Sequence, residues 1–239
     1  MNSMASSKIR TIKKIVTVSL LGAMCWGSAL AQASVPASKT RVVYFGLQNQ
    51  ADFELKVKPV FDSTASCKNC EIINYTPYTA DGAVDEAAME ERIGSLPADT
   101  SFVFFDFNLK SNDQNKALLE ALNKRADSGM IFVGSAGVPK SNEASGPLTR
   151  TILGQVHNAV IIGELGDRDR LVPSAFYGPE MLTAIRPPKD KIGQGYSPLI
   201  FAANLAEKWN KRSPQEWTDY FKSKKQKNRK IWMDLNDLF

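Results

Sequence analysis

The stretch that decides the fold reads SFVFFDFNLKSNDQNKALLEALNKRADSGMIFVG over residues 101–134. It begins with the apolar run 101–106 and ends with a second apolar run at 130–134, and both runs are typical of buried strands. Between them, the pattern from Asp113 to Arg125 predicts an amphipathic helix that Gly129 ends. The stretch therefore predicts a strand, a helix and a second strand.

The same alternation continues on both sides of this stretch. Apolar strands separated by helices indicate a parallel sheet that is covered on both faces. The sequence predicts one three-layer α/β domain over residues 34–239, with a mostly parallel sheet. Its remaining predicted strands are 41–46, 71–75 and 159–163, and its remaining predicted helices are 51–62, 85–93, 198–209 and 214–225.

Composition excludes several classes of protein. The 239 residues are 43% hydrophobic and 23% charged, which is ordinary for a globular chain and unlike a disordered or coiled-coil one. The formal net charge is +5, but Lys8, Arg10, Lys13 and Lys14 leave only about +1 for the rest. We therefore expect no nucleic-acid partner. With three cysteines and one histidine, we expect no metal or other cofactor.

The N-terminus has the pattern of an export signal. Basic residues precede the apolar segment 15–26, and small residues follow at Ala29, Ala31 and Ala33. This predicts a cleavable Sec-type signal peptide over residues 1–33, cut after Ala33 or Ala31. The alternative is an uncleaved anchor, although the apolar run is short of the roughly 20 residues that span a bilayer. We expect an exported protein, periplasmic or secreted, with no transmembrane segment in its mature chain.

From residue 101 onward, several short motifs follow one another in an order that resembles the C-terminal half of the subtilisin-like serine peptidases. The resemblance covers residues 101–225 and implies the fold of that family. In that order, Gly195-Tyr196-Ser197-Pro198 stands where the family has Gly-Thr-Ser-Met and its nucleophile. The other motifs are Phe104–Leu109 at a substrate-facing loop, Gly129–Gly137 before an oxyanion-hole asparagine, Val156–Gly163, Tyr177-Gly178-Pro179 and Arg186-Pro187-Pro188.

The family's catalytic residues are only partly matched. The resemblance places Ser197 at the nucleophile position and Val138 at the oxyanion position, where valine has no side-chain donor. The aspartate and histidine positions of the triad are unfilled. His157 is the one histidine of the chain, and it precedes a predicted strand on the wrong side of the fold to reach Ser197. As a plain pattern, Ser197-Pro198 and Ser213-Pro214 both predict a helix N-cap.

Two other kinds of side chain could serve as the base for Ser197, a carboxylate or a lysine. Glu86 and Glu90, and likewise Asp81 and Asp85, are spaced to place two carboxylates on one helix face. The sedolisins, relatives with the same fold, use such a carboxylate pair in place of histidine. The same residues also fit a solvated helix surface. A lysine at 189 or 191 has the right side-chain type, but no spacing singles either residue out.

Cys67 and Cys70 are separated by two residues in the sequence. In an oxidising compartment, the pair predicts a structural disulfide. A redox site would place the cysteines after a strand, and they instead precede one. A zinc site would need further ligands.

The C-terminal segment 208–230 is basic and predicts a basic C-terminal helix. Trp217, Tyr220 and Phe221 share one helical face there, so we expect the aromatic rings to pack on the domain. The lysines then stay in water, where a weak contact with an anionic surface is an alternative role.

Three functions follow as hypotheses. The first is an exported subtilisin-like domain with a degraded catalytic apparatus that binds a protein or peptide partner. The second is a divergent serine endopeptidase that uses Ser197 with a carboxylate or lysine base. The third is a periplasmic protein that binds a small ligand on an unrelated sheet.

Overall fold

The computed structural model describes residues 39–46, 49–63, 70–77, 79, 83–137, 145–173, 175–192, 195–227 and 235–239. These residues belong to one compact unit. The predicted signal peptide 1–33 lies outside the described residues and stays a prediction. Within the described ranges, no helix is both long and apolar enough to cross a membrane.

Six parallel strands form the sheet of the described chain, in the order β2-β1-β3-β4-β5-β6. Five of them confirm predicted strands. The sixth was missed because Leu182 and Ala184 do not belong to the β-branched and aromatic types that mark strands. The strands are β1 (Thr40–Phe45), β2 (Cys70–Tyr75), β3 (Phe102–Phe105), β4 (Ile131–Ser135), β5 (Ala159–Glu164) and β6 (Met181–Ile185).

Helices cover both faces of the sheet. A π-helical segment at Phe53–Val57 joins the first two helices, and a 3₁₀ turn at Asp113–Asn115 begins the fourth. The five helices predicted from the sequence are all present, with small shifts at their ends. The predicted helix 51–62 corresponds to α1, the π-helical segment and α2 together, and α7 was not predicted. The helices of the described chain are α1 (Gln50–Asp52), α2 (Lys58–Ser63), α3 (Glu86–Gly94), α4 (Lys116–Asp127), α5 (Tyr196–Lys208), α6 (Pro214–Lys227) and α7 (Leu235–Leu238).

Each strand contributes to two separate cores, one on each face. In β1, Val42 and Tyr44 pack with α2, α5 and α6, while Val43 and Phe45 pack with α3 and α4. Side chains alternate along a strand, so a sheet covered on both faces needs apolar residues at every position. This explains why the central strands are apolar throughout, and it confirms the predicted three-layer α/β class.

The basic segment 208–230 is not one helix, which corrects the prediction. Lys208 ends α5, a 3₁₀ turn covers Trp209–Lys211, and α6 begins at Pro214. Arg212 is extended, with φ −146° and ψ 151°, so it breaks the helical path. Proline suits the first turn of a new helix because it has no N–H to satisfy.

The predicted packing of the aromatic residues of α6 is confirmed. Trp217 is fully buried, and its Nε1 donates to the main-chain oxygen of Trp209 at 2.9 Å. Its ring is stacked between Trp209 and Phe221, with centroid distances of 6.3 and 5.4 Å. Buried aromatic rings of this size contribute a large part of the hydrophobic stabilisation, so this cluster attaches α6 to the domain.

We expect Trp217→Ala to lower the free energy of unfolding by about 3–5 kcal/mol, because it removes a buried ring and leaves a cavity. Urea denaturation followed by circular dichroism measures the change. As a control, Leu55→Ala should change stability by less than about 0.5 kcal/mol, since the Leu55 side chain is 75% exposed. Equal effects of the two substitutions would contradict the anchoring role of Trp217.

Ser213 and Glu216 form a reciprocal cap at the start of α6. The Ser213 hydroxyl oxygen accepts the N–H of Glu216 at 3.3 Å, as predicted for an N-cap. The Glu216 carboxylate accepts both the N–H and the hydroxyl of Ser213, at 2.7 and 2.8 Å. These two bonds lower the pKa of Glu216, the backbone bond having the larger effect.

A lowered carboxyl pKa stabilises the fold above the pKa of the unfolded chain, near 4.3, and this stabilisation is lost as pH falls through the folded pKa. We therefore expect Glu216→Gln to lower the melting temperature at pH 7 and the gap from wild type to close in acid. Ser213→Ala, which removes one of the two donors, should show a smaller pH-dependent gap. A gap that persists unchanged from pH 7 to pH 3 would contradict this role.

Candidate active site

The candidate site lies where β5, β6 and α5 meet at the carboxyl edge of the sheet. Glu164 ends β5, Ile185 ends β6, and Tyr196 begins α5. Gly195, just before the helix, has a φ of +69°, a left-handed conformation that suits glycine. The helix therefore starts one residue before Ser197, and the predicted N-cap role of Ser197 is wrong.

Ser197 is the second residue of α5 and is fully buried. Its hydroxyl donates to the main-chain oxygen of Ile185 at 2.9 Å. Its backbone N–H donates to Oε2 of Glu164 at 3.2 Å. The side chain thus joins the end of β6 to the first turn of α5, and it does not face solvent.

Glu164 is a residue of the candidate site that sequence reasoning missed. Its side chain is 5% exposed, and burying a carboxylate is costly unless hydrogen bonds compensate for lost water. The compensation here includes the N–H of Ser197 at the positive end of the helix dipole. The available signal was a glutamate at the end of the apolar run 159–163.

Glu86 and Glu90 lie on α3, which packs against α4 on the face of the sheet opposite to α5. Oε1 of Glu86 accepts from the Asn115 side-chain amide at 3.2 Å. Asp85 caps α3 by accepting the N–H of Ala88 at 2.9 Å. The hydrogen bond that the Ser197 hydroxyl donates goes to Ile185 and to neither glutamate.

The two candidate lysines lie in a 3₁₀ turn at Lys189–Lys191. Lys189 is exposed, and Nζ of Lys191 lies 3.8 Å from Oδ2 of Asp190. The turn precedes α5 by only a few residues. Even so, Ile185 receives the hydrogen bond of the Ser197 hydroxyl.

His157 lies at the amino end of β5, as predicted. Its side chain is 63% exposed, and Nδ1 lies 3.1 Å from Oδ1 of Asp127. Glu164, which contacts Ser197, ends β5, about 16 Å along the strand from its first residue, Ala159. The imidazole is therefore on the opposite edge of the sheet from Ser197.

Several predicted positions lie outside the described residues. These are Val138 at the oxyanion position, Asp81, and Cys67 of the predicted disulfide, while Cys70 is the first residue of β2. The disulfide between Cys67 and Cys70 stays a prediction. Within the described part of the chain, no group of three or more His, Cys, Asp or Glu side chains is arranged to hold a metal ion.

The loop after β3 is bonded to another segment of the same chain. The Leu109 oxygen accepts from the N–H of Ile152 at 2.8 Å, and the Ser111 N–H donates to the Arg150 oxygen at 2.8 Å. The Asn108 side chain adds bonds to Thr151 Oγ1 and to the N–H of Leu153, at 3.0 and 3.2 Å. These backbone groups are therefore not free to pair with a peptide.

No family model and no curated protein matches the chain. Solved structures do match it. A cold-adapted subtilisin-like serine proteinase has a TM-score of 0.55 and 12% identity, over 77% of this chain and 81% of that one. A lanthipeptide protease has a TM-score of 0.51 and 11% identity, over 76% and 78% of the chains. A structure described as an S41 psychrophilic protease has a TM-score of 0.51 and 14% identity, over 77% and 82%.

These matches confirm the predicted fold. The chain has a subtilisin-like α/β fold with a six-stranded parallel sheet in its described part. At such low identity the likeness concerns the fold, and a fold does not by itself determine chemistry. The activity must be argued from the side chains at the site.

We expect Ser197→Ala to lower the free energy of unfolding by about 0.5–1.5 kcal/mol, because the Ile185 oxygen loses one of its two donors and keeps the N–H of Leu165 at 2.9 Å. Chemical denaturation measures the loss. The matched control is Ser95→Ala, since Ser95 is exposed and its hydroxyl donates to Arg92 at 3.3 Å, and it should change stability by less than about 0.5 kcal/mol. A Ser197→Ala protein as stable as wild type would show that this hydroxyl has no structural role.

Proposed function

We propose that this chain is an exported, peptidase-related protein that lacks serine peptidase activity and binds a protein or peptide partner. The subtilisin-like fold supports the peptidase-related part. The observation that carries the proposed loss of activity is the placement of Ser197. Its hydroxyl is buried and donates a hydrogen bond to the backbone oxygen of Ile185.

A serine nucleophile needs an exposed hydroxyl that gives its proton to a base within about 2.6–3.2 Å. The amide oxygen of Ile185 occupies the position of the base but is far too weak a base to take the proton. His157 is at the other edge of the sheet, and valine at position 138 has no side-chain donor for an oxyanion. Nucleophile activation and oxyanion binding thus both lack their usual groups.

The loop after β3 supports the same proposal. By the family resemblance, this loop faces the substrate, and a bound peptide pairs with extended backbone in the manner of an added strand. Here Leu109 and Ser111 are already bonded to the segment 150–152. A partner therefore has to bind through other surfaces or displace that segment.

Two further parts of the proposal come from the sequence. Residues 1–33 serve as the export signal, and Cys67 and Cys70 form a structural disulfide in the oxidising compartment that export reaches. The basic segment 208–230 remains a proposed weak contact for anionic surfaces. One of its cations makes a cation–π contact within the protein, because the Arg212 guanidinium lies 4.2 Å from the Tyr220 ring centroid.

Glu164 provides the argument for a second candidate, a divergent serine endopeptidase. Its carboxylate lies 3.2 Å from the Ser197 nitrogen, so a base is close to the nucleophile's backbone. The hydroxyl would have to leave Ile185 and turn toward Glu164 before it could react. The third hypothesis assumed small-ligand binding on a sheet unrelated to the subtilisin-like fold. The sheet is subtilisin-like, so that assumption is wrong.

The two candidates predict opposite results with a fluorophosphonate probe, which reacts with activated serines. We expect no specific labelling of the purified mature protein between pH 4 and pH 8, because the Ser197 hydroxyl is buried and donates to a backbone oxygen instead of a base. An active serine peptidase in the same tube is the positive control. Peptides from a casein digest, incubated with the protein and recovered by ultrafiltration, should be retained with it and remain intact by mass spectrometry.

Ser197→Ala separates the outcomes. Labelling or peptide cleavage that disappears in Ser197→Ala would overturn the proposed loss of activity and favour the endopeptidase. Glu164→Gln would then test the base, because it removes the carboxylate and keeps the side-chain shape. Failure to retain any peptide, in the absence of cleavage, would contradict the proposed peptide-binding role.

A further inference from the structure

A cavity lies at the amino ends of β5 and β6, against α6. Its volume is about 70 Å³, and its floor includes Leu182 and Phe221. Its polar lining includes His157, Glu180, Lys222 and Lys225. A shallower cleft of about 240 Å³ adjoins it along the 3₁₀ turn at residues 153–155 and shares His157, Glu180 and Lys225.

Two lysine side chains face this cavity from one helix. Lys222 and Lys225 are three residues apart on α6, so their side chains lie on the same helix face. Nζ of Lys225 donates to the main-chain oxygen of Glu180 at 2.9 Å, which uses one of its three N–H bonds. Burial lowers the pKa of Lys225, and the nearby Glu180 charge acts in the opposite direction with a smaller effect. Because Lys225 is exposed, its ammonium keeps further N–H bonds that can reach a ligand at the mouth of the cavity.

Glu180, which also lines the cavity, offsets part of the positive charge of Lys225. Oε2 of Glu180 is buried and has no hydrogen-bond partner among the described residues. Asp127 faces His157 instead, with Oδ1 at 3.1 Å from Nδ1. This contact orients the imidazole, which also lines the cavity.

We propose that this cavity is a binding site for a carboxylate attached to a short apolar group. Lys222 and Lys225 bind the carboxylate oxygens, and the apolar group rests against Leu182 and Phe221. A charge-assisted hydrogen bond compensates an ammonium for lost water better than a carbonyl alone does. The site is at the opposite end of β5 from Ser197, so it does not depend on the proposed loss of peptidase activity.

The size of the cavity restricts the ligand. Its volume of about 70 Å³ equals the liquid volume of roughly two water molecules. That space fits a carboxylate and a methylene group or two, and the adjoining cleft has room for a longer chain. Two sources have this chemistry: a free short-chain acid and the C-terminal carboxylate of a peptide.

NMR titration of the ¹⁵N-labelled mature protein tests the site with butyrate as the probe. We expect saturable shifts of the amide signals of residues 157–160 and 218–225, and none with butyramide, which has the same shape without the charge. Lys225→Met keeps the apolar stem and removes the ammonium, so it should raise the Kd for butyrate about tenfold. Lys211→Ala, an exposed lysine of the turn before α6, should leave the Kd within twofold.

The peptide N-acetyl-Gly-Gly-Val, with a free or an amidated C-terminus, distinguishes the two sources. Binding of the free-acid peptide at least tenfold tighter than butyrate identifies a chain terminus as the ligand, and equal or weaker binding identifies a small acid. Absence of binding by both acids, equal binding of butyrate and butyramide, or an unchanged Kd in Lys225→Met would overturn the proposal. If Lys225→Met does not fold, Lys222→Ala decides by the same criteria.

Discussion

The covering of the parallel sheet on both faces is the constraint on which the rest of the structure depends. It forces both faces of the central strands to be apolar, because every side chain of such a strand enters one of two cores. A polar side chain in such a strand has to find a hydrogen-bond partner, which backbone and helix termini supply most readily at the strand ends. Tyr44 illustrates the rule, since its buried ring reaches past the end of β1 and its hydroxyl bonds to Asp106.

At the carboxyl edge, structural and catalytic uses compete for the same groups. Three polar atoms meet where β5, β6 and α5 join: the Glu164 carboxylate, the Ser197 hydroxyl and the Ile185 oxygen. A hydroxyl that donates to a backbone oxygen stabilises the junction. The same bond withholds the proton that a nucleophile has to give to a base. The amino edge differs, because Lys222, Lys225 and His157 line an accessible cavity there.

Much of the fold could be predicted from the sequence, while the site was predicted only in part. Five of the six strands of the described sheet followed from runs of β-branched and aromatic residues, and β6 did not, because Met181–Ile185 has no aromatic residue. The opposite-edge position of His157 also followed, since a residue just before a parallel strand lies at its amino end. The contact between Glu164 and Ser197 joins residues 33 positions apart, and no local pattern encodes it.

The sequence by itself determined the α/β class, the apolar strands of a parallel sheet, and the helix cap at Ser213. These features follow from periodicity and capping, which act over a few neighbouring residues. Only the tertiary structure decided the role of Ser197. Two identical Ser-Pro pairs behave differently, since the left-handed Gly195 starts α5 early and moves Ser197 into the helix. The cavity beside α6 also depends on tertiary packing, because its lining comes from strands and a helix that are far apart in the chain.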